Sequence, residues 1–291
     1  MKVAIYSREL SEKHFDFVQE LFNKLLSNNI EVFVFSQFYN FIVHKIDLNS
    51  SIQQFNSHTD LVGIDFLFSI GGDGTLLETS TLVREKSIPV MGINTGRLGF
   101  LSTIATHEIE FAIESLKKKD YHLDTRTLLS LEMNKNPFID YNLALNEVTL
   151  QKKDTSAMIT IHAYLDGKFL NTYWADGLII ATPTGSTAYS LSCNGPIVLP
   201  NSGNIIITPI APHNLNVRPL VIPDDIELTL KVEGRTDNFL VALDSRSASI
   251  PVESELRIKK SRNEISLIRL TGHDYLNTLR NKLMWGVDKR N

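Results

Sequence analysis

Cysteine is almost absent from this chain, which has one, Cys193, among 291 residues. A single cysteine forms no intramolecular disulfide and no all-cysteine metal site, so we expect the protein to work in a reducing compartment. Long apolar runs are absent too, since no stretch approaches the ~18 residues that a membrane span needs. From Met1 the sequence enters a strand-like run at once, without the pattern of a secretory leader. These absences together predict a cytoplasmic protein.

Neither sign of charge dominates, because the formal net charge is −4 and charged residues make up 21% of the chain. This balance gives no reason to expect nucleic acid or a membrane surface as a partner. Two common phosphate loops are also missing. No glycine run ends in Gly-Lys-Ser or Gly-Lys-Thr, and no Gly-x-Gly-x-x-Gly fingerprint occurs. The Walker A loop and the usual dinucleotide loop are therefore excluded.

The sequence does have a different glycine-rich turn, Gly-Gly-Asp-Gly-Thr at 71–75. It follows the apolar run 66–70, typical of a buried parallel strand, and it precedes a helical pattern over 75–84. The tetrapeptide alone is equally typical of an ordinary turn, since Asp-Gly is a common turn dipeptide. Its place between strand and helix favours an anion site, because helix N-terminal N–H groups bind phosphates.

Hydrophobic periodicity predicts two domains and a closing helix. Strand and helix alternate over 1–124, which predicts an α/β domain with a doubly wound parallel sheet. From 125 to 270 one short strand follows another, among them 157–165 and a partner joined by the hairpin turn Asp166-Gly167. This predicts a β-rich, sandwich-like domain. The segment 271–291 predicts a short helix that packs back on the first domain.

Three further segments carry polar residues that a fold alone does not need. A second glycine-bearing loop, 94–101, follows the next parallel strand, where it is either a plain connection or part of the same cleft. Asn146-Glu147 places an amide and a carboxylate in an apolar strand region, which indicates either a bulge or strand end at the surface or a ligand site. The stretch 182–192 has many small hydroxyl residues, and a helix cap needs only one of them.

Taken together, these segments closely resemble the motif set of the NAD kinase family, bacterial type. The resemblance covers about residues 66–245 and includes 71–75, 95–100, 146–147, 176–190, 209–213 and 218–220. The Gly-Gly-Asp-Gly-Thr motif alone is shared with lipid kinases and phosphofructokinase-like enzymes, whereas the combination is specific. The resemblance implies ATP-dependent phosphorylation of the 2′-hydroxyl of the adenosine ribose of NAD, which gives NADP. It also implies Mg²⁺ brought in with ATP, no metal held by the chain's own residues, and a homodimer or homotetramer.

The resemblance assigns roles residue by residue. Asp73 matches the general base beside the accepting hydroxyl. The positions that match phosphate- and ATP-binding residues are Gly71, Gly72, Gly74 and Thr75. The positions that match NAD-binding residues are Asp73, Gly74, Asn146, Glu147, Trp174, Asp176, Thr184, Thr187, Ala188, Tyr189, Ser190, Leu191, Ser192, Ala211 and Arg246.

Two positions depart from the family pattern. Many members have a basic residue where this chain has Trp174, and many have an uncharged amide where it has Arg246. Trp174 leaves the choice between NAD and NADH open, and Arg246 leaves the contact at its position open. Both departures also leave open the hypothesis of a non-catalytic sensor that binds NAD or NADP without turnover. A lipid or sugar kinase with only the glycine motif is the other alternative, but it leaves Asn146-Glu147 and 187–192 unexplained.

Overall fold

The structure is a computed structural model that describes residues 1–153, 158–234 and 237–286. Two parts of the sequence predictions lie outside the described residues. They are residue 157, the predicted start of one strand, and residues 287–291 of the predicted closing segment. The chain forms two compact units, one of Met1–Thr125 with Ile265–Asn291 and one of Arg126–Glu264. Residues 265–270, which the sequence analysis placed in the β-rich domain, belong to the first unit. No helix in the described ranges is long and apolar enough to cross a bilayer.

The first unit alternates strands and helices. Its strands are β1 Lys2–Ser7, β2 Glu31–Phe35, β3 Gln53–Phe55, β4 Phe66–Gly71, β5 Val90–Asn94 and β6 Ile104–Ala105. Its helices are α1 Phe15–Ser27, α2 Ser36–Ile42, α3 Asp73–Val83 and α4 Ile109–Lys118, with α6 Tyr275–Leu283 near the end of the chain. Single 3₁₀ turns lie at Glu12–His14, His58–Asp60, Arg84–Lys86 and Thr106–Glu108.

The sheet of the first unit is parallel, in the order β3-β2-β1-β4-β5. Its central strands are apolar on both faces, and every residue of β4 is buried. The core joins these strands to the apolar faces of α1 and α4, for example through Leu21 and Ile113. Since the strands are parallel, their carboxyl ends meet at one edge, and β4 delivers the glycine-rich turn to that edge.

The second unit is built almost entirely of strands. Those are β8 Leu143–Ala144, β9 Glu147–Lys152, β10 Ile159–Leu165, β11 Lys168–Ala175, β12 Gly177–Ala181, β13 Asn204–Ile210, β14 Leu220–Pro223, β15 Leu228–Glu233, β16 Asn238–Leu243 and β17 Arg246–Pro251. Two longer strands, β7 Tyr121–Met133 and β18 Glu255–Leu270, contain residues of both units. A 3₁₀ turn at Thr184–Thr187 leads into the short helix α5 Tyr189–Ser192.

Two antiparallel sheets enclose the core of the second unit. One has the order β14-β13-β12-β9-β16-β17, and the other includes β11, β10, β15 and the start of β18. Side chains from both sheets, such as Leu150 and Leu230, share one buried cluster. The predicted turn between β10 and β11 is present, and both Asp166 and Gly167 have positive φ, as a two-residue hairpin requires. The predicted fold class is therefore confirmed.

Candidate active site

The glycine-rich turn of the first unit joins β4 to α3. Gly71 has a φ of +149°, and a Cβ at this position would lie 2.4 Å from Thr75 Oγ1, so only glycine fits. Gly72 and Gly74 are exposed and border open space. Because α3 begins at Asp73, its first main-chain N–H groups have no acceptor inside the helix. The turn therefore offers N–H groups and the positive end of a helix dipole to an anion.

Asp73 is held by a second turn, which we call turn 100–102. Its Oδ2 atom accepts the main-chain N–H of Phe100 at 2.8 Å, and its Oδ1 atom accepts those of Leu101 at 3.0 Å and Ser102 at 2.9 Å. Gly99 leads into this turn, where a Cβ would lie 1.9 Å from Asp73 Oδ1. The sequence left open whether the glycine-bearing loop 94–101 is a plain connection or part of the same cleft. In the structure this loop binds the carboxylate of Asp73, the candidate general base.

Arg269 at the end of β18 holds the carbonyl side of turn 100–102. Its Nη2 atom donates to the carbonyl of Phe100 at 3.3 Å, and its Nη1 atom donates to the carbonyl of Leu101 at 3.2 Å and to Thr103 Oγ1 at 2.7 Å. Its Nε atom donates to Asp124 Oδ2 at 3.0 Å. Arg269 is buried. Arg269 was not among the residues predicted from the sequence, although a single arginine in the apolar run 265–270 is a signal of a buried charge with a partner.

The second unit holds Asn146 and Glu147 in a similar way. Asp244 accepts the main-chain N–H groups of Leu145 and Asn146 at 2.8 Å each and of Glu147 at 3.2 Å, and we call this segment turn 145–147. A Cβ on Gly185 would lie 2.1 Å from the Asn146 carbonyl oxygen, so 146–147 and 182–192 are in close contact. Asn146 lies between strands β8 and β9, which agrees with the strand end that the sequence left as one alternative. It is buried, however, and does not lie at the surface.

Glu147 is the strongest sign of a ligand in this unit. Burial, with the nearby Asp244 carboxylate, raises the pKa of Glu147 to about 8, although the main-chain N–H of Tyr189 acts in the opposite direction. Burial also raises the pKa of Asp244, against its three N–H donors and Arg246. Within the described residues the Oε2 atom of Glu147 has no hydrogen-bond partner. A buried carboxyl oxygen without a partner is costly unless a ligand provides one.

Most hydroxyl groups of 182–192 form hydrogen bonds with other groups of the protein. Thr182 Oγ1 donates to the carbonyl of Leu145 at 2.6 Å, and Ser190 Oγ lies 2.8 Å from Thr208 Oγ1. The buried Thr184 accepts a bond from Arg126 Nη1 at 3.1 Å. These side chains shape the turn and hold it against the sheet. What remains accessible in this stretch is Thr187, Ala188, Tyr189, Leu191 and Ser192.

The remaining predicted positions lie nearby in the same unit. The Asp176 carboxylate pairs with Lys152 Nζ at 2.6 Å, and Ala211 follows β13 with a positive φ of 44°. The half-exposed Trp174 packs against His213 with ring centroids 4.5 Å apart. Arg246 donates to the carbonyls of Tyr141 and Leu143, so its guanidinium supports the strand that leads into turn 145–147.

A cleft of about 590 Å³ opens beside the carboxyl ends of β1 and β2. Its lining combines Ser7 to Glu9, three phenylalanines and Glu78. The Arg8 guanidinium and the Tyr6 hydroxyl both bond to the Glu78 carboxylate of α3. Ser7 donates to the carbonyl of Ile70 at 2.8 Å, which places this cleft next to the glycine-rich turn. Aromatic walls beside a cation suit a nucleotide.

Family models match most of the chain. Residues 3–121 match the ATP-NAD kinase N-terminal domain, and residues 145–270 match the ATP-NAD kinase C-terminal domain. NAD kinases of Flavobacterium psychrophilum and Cytophaga hutchinsonii are 49% and 47% identical to it, with complete coverage of both chains in each comparison. The NAD kinase of Bacteroides fragilis is 43% identical, also over the full length.

Solved structures agree with these matches. Yeast NADH kinase complexed with NADH has a TM-score of 0.88 and 25% identity, covering 99% of this chain and 88% of that one. An NAD kinase from Archaeoglobus fulgidus in complex with ATP has a TM-score of 0.75 and 25% identity, covering 98% and 99%.

The fold and the matches define the protein as a phosphotransferase. The chain belongs to the NAD kinase family. Its reaction is the ATP-dependent phosphorylation of the 2′-hydroxyl of the adenosine ribose of NAD, which gives NADP. The lipid or sugar kinase alternative shares only the glycine motif, whereas the family models match both units.

Proposed function

We propose that Asp73 is the general base of this reaction and that the glycine-rich turn binds the transferred phosphate. The support is the position of its carboxylate at the first residue of α3, beside the exposed glycines and in contact with turn 100–102. A carboxylate oxygen has about two lone-pair positions. Oδ1 already accepts two bonds and Oδ2 only one, so Oδ2 has room for the substrate hydroxyl.

In the proposed step the 2′-oxygen of NAD forms a bond to the γ-phosphorus of Mg·ATP. The bond from that phosphorus to the bridging oxygen breaks, ADP leaves, and the hydroxyl proton moves to Asp73 Oδ2. Phosphoryl transfer depends on positioning and charge neutralisation more than on covalent chemistry. The main-chain N–H groups at 72–74 provide part of that neutralisation, and Mg²⁺, as part of the Mg·ATP substrate, provides the rest.

We propose further that turn 145–147 holds the ribose of the acceptor NAD. The observation that carries this assignment is the unpartnered Oε2 atom of the buried Glu147. A ribose hydroxyl that donates to this atom would satisfy it and favour the ionised carboxylate. The Asn146 side chain, held beside it by Asp244 through the backbone, offers an amide to the same ligand.

The cleft beside β1 and β2 is our candidate for the adenosine of ATP. The partly exposed Phe35 and Phe41 provide a surface for a base, and Arg8, which pairs with Glu78, provides a cation for the phosphates. Arg8→Ala should raise the KM for ATP and leave the KM for NAD unchanged. An equal rise in both values would contradict the assignment, and Lys13→Ala, outside this cleft, is the control.

The direct test of the function uses the purified protein with Mg·ATP and NAD. We expect NADP to accumulate, detected with an NADP-specific dehydrogenase, and to stop accumulating when ATP or Mg²⁺ is omitted. NADH in a parallel reaction shows which of the two acceptors the protein prefers. Tight NAD binding with turnover no faster than background, for any phosphate donor including polyphosphate, would instead support the sensor alternative.

The assembly and the location also remain proposals. We propose a homodimer or homotetramer, supported by the exposed apolar residues Leu220 and Val221 on the edge strand β14. Light scattering after size exclusion measures the mass, and a monomer at micromolar concentration would contradict it. The cytoplasmic location remains a prediction from the sequence, which fractionation of the source cells would test.

A further inference from the structure

The buried arginine at the end of β18 has no role in the reaction as proposed so far. We propose that Arg269, together with Asp124, is a positioning residue for proton transfer, which acts on Asp73 through turn 100–102. This inference rests on the proposed role of Asp73 as the base. It adds residues that neither the glycine motif nor the acceptor segments contain.

Turn 100–102 is bound on both of its polar sides. Its N–H groups point to the Asp73 carboxylate, and the carbonyls of Phe100 and Leu101 point to the Arg269 guanidinium. Peptide groups are planar, so a shift of the carbonyls moves the N–H groups with them. The guanidinium therefore fixes the direction from which the turn donates to Asp73.

Arginine suits this task better than lysine. The guanidinium has five N–H donors in a rigid plane, and here they reach two carbonyls, the Thr103 hydroxyl and the Asp124 carboxylate. A lysine at this position would keep the charge but would have three donors on one rotating atom. Asp124, whose side chain is 13% exposed, compensates a cation that is 8% exposed. The pair is therefore a fixed unit and not a solvated surface contact.

The consequence for chemistry concerns which oxygen accepts the proton. Turn 100–102 occupies Oδ1 with two bonds and Oδ2 with one. A displaced turn would release one of these bonds and let the carboxylate rotate, so that its open lone pair would no longer face the substrate hydroxyl. Misplacement of a catalytic group by about 1 Å can cost on the order of 10²-fold in rate.

The test is a double-mutant cycle in single-turnover phosphoryl transfer at saturating Mg·ATP and NAD. We expect Arg269→Lys to slow the reaction by roughly 10- to 100-fold in the parent. In the Asp73→Asn background, where there is no base to position, the same change should slow the residual reaction by less than about threefold. The dissociation constants for NAD and ATP should stay within about threefold of the parent values.

Two controls separate positioning from loss of stability. Ile113→Val removes one methylene from the core of the same unit and should lower the melting temperature without changing the single-turnover rate. Thr103→Val keeps the shape of an Arg269 partner but removes its hydroxyl. It should slow the parent by a smaller factor, and it serves as the main variant if Arg269→Lys does not fold.

Some outcomes would overturn the proposal. An Arg269→Lys factor of the same size in both backgrounds would show that Arg269 does not act through Asp73. If Arg269→Lys and Thr103→Val both react at the parent's single-turnover rate, the turn does not need its contacts with the arginine. If Asp73→Asn itself keeps the parent rate, Asp73 is not the base. In that case the proposed function fails first, and the cycle distinguishes this result from the other two.

Discussion

The two units hold their motif residues with the same hydrogen-bond arrangement. In the first unit one carboxylate, Asp73, accepts three consecutive main-chain N–H groups of turn 100–102. In the second unit Asp244 does the same for turn 145–147. An arginine then binds nearby carbonyls, Arg269 those at 100 and 101 within the first turn and Arg246 those at 141 and 143, just before the second turn. Each turn is thus fixed through its backbone, whatever side chains it carries.

The two carboxylates differ in what they face. Asp73 opens a helix beside exposed glycines, so its remaining lone pair is accessible to a substrate. The Asp244 carboxyl is enclosed, and burial raises its pKa. The same hydrogen-bond arrangement can therefore serve two purposes. We expect the accessible carboxylate to take part in chemistry and the enclosed one to shape a turn whose own side chains, Asn146 and Glu147, meet the ligand.

Asp73→Asn should give the largest effect. The amide oxygen can keep the two bonds that Oδ1 accepts, while the Phe100 N–H loses its acceptor and the base is lost. We expect kcat to fall by roughly 10² to 10⁴, the usual range for general-base catalysis, with a much smaller change in NAD affinity. Single-turnover kinetics measure this directly. A variant that binds NAD normally and keeps near-parent rates would make Asp73 a structural turn residue.

A matched pair of glycine substitutions should separate the two turns with smaller effects. In Gly99→Ala the new methyl would lie 1.9 Å from Asp73 Oδ1, so we expect a rate loss of about 10²-fold. In Gly185→Ala it would lie 2.1 Å from the Asn146 carbonyl oxygen, so we expect NAD affinity to fall about tenfold at nearly constant saturated rate.

Gly203→Ala is the control for this pair, because its methyl would meet Asp224 at an ordinary 3.6 Å. It should change neither the rate nor the affinity. If Gly99→Ala weakens NAD binding while Gly185→Ala slows the saturated reaction, the two turns have been assigned to the wrong tasks.

The smallest expected effect is a pH dependence of stability from Glu147. Its pKa is raised from 4.5 to about 8 in the folded protein, so between these values the folded state keeps a proton that the unfolded state has lost. The free energy of unfolding should therefore fall as pH rises, by at most about 1.4 kcal/mol per pH unit. Glu147→Gln removes this contribution.

The measurement is urea unfolding of parent and Glu147→Gln at pH 5 and pH 8.5. The difference in free energy of unfolding, variant minus parent, should increase from the lower to the higher pH. A difference that is the same at both values would show that Glu147 is not a buried titrating group. NAD that donates a hydroxyl to Oε2 should also lower the pKa of Glu147, so its binding should release protons near neutral pH.

Sequence reasoning reached the parts of the site that are local in the chain. The glycine-rich turn could be predicted because strand, glycines and helix are adjacent, and Asn146-Glu147 stood out because polar neighbours are unusual in an apolar segment. The partners could not be predicted. Asp244 lies 98 residues from Asn146, and Arg269 lies 168 residues from Leu101. Only the fold brings such residues together, and one sequence holds no record of those contacts.

The division of tasks between the two carboxylates is tested most directly by Asp244→Asn, measured beside Asp73→Asn for NAD affinity and single-turnover rate. In Asp244→Asn a nitrogen replaces one acceptor and leaves an N–H of turn 145–147 without a partner, at a cost of about 1–3 kcal/mol. We predict that NAD binds roughly 10- to 100-fold more weakly while the saturated rate stays within about threefold of the parent. A saturated rate as low as that of Asp73→Asn, with NAD affinity unchanged, would contradict the account.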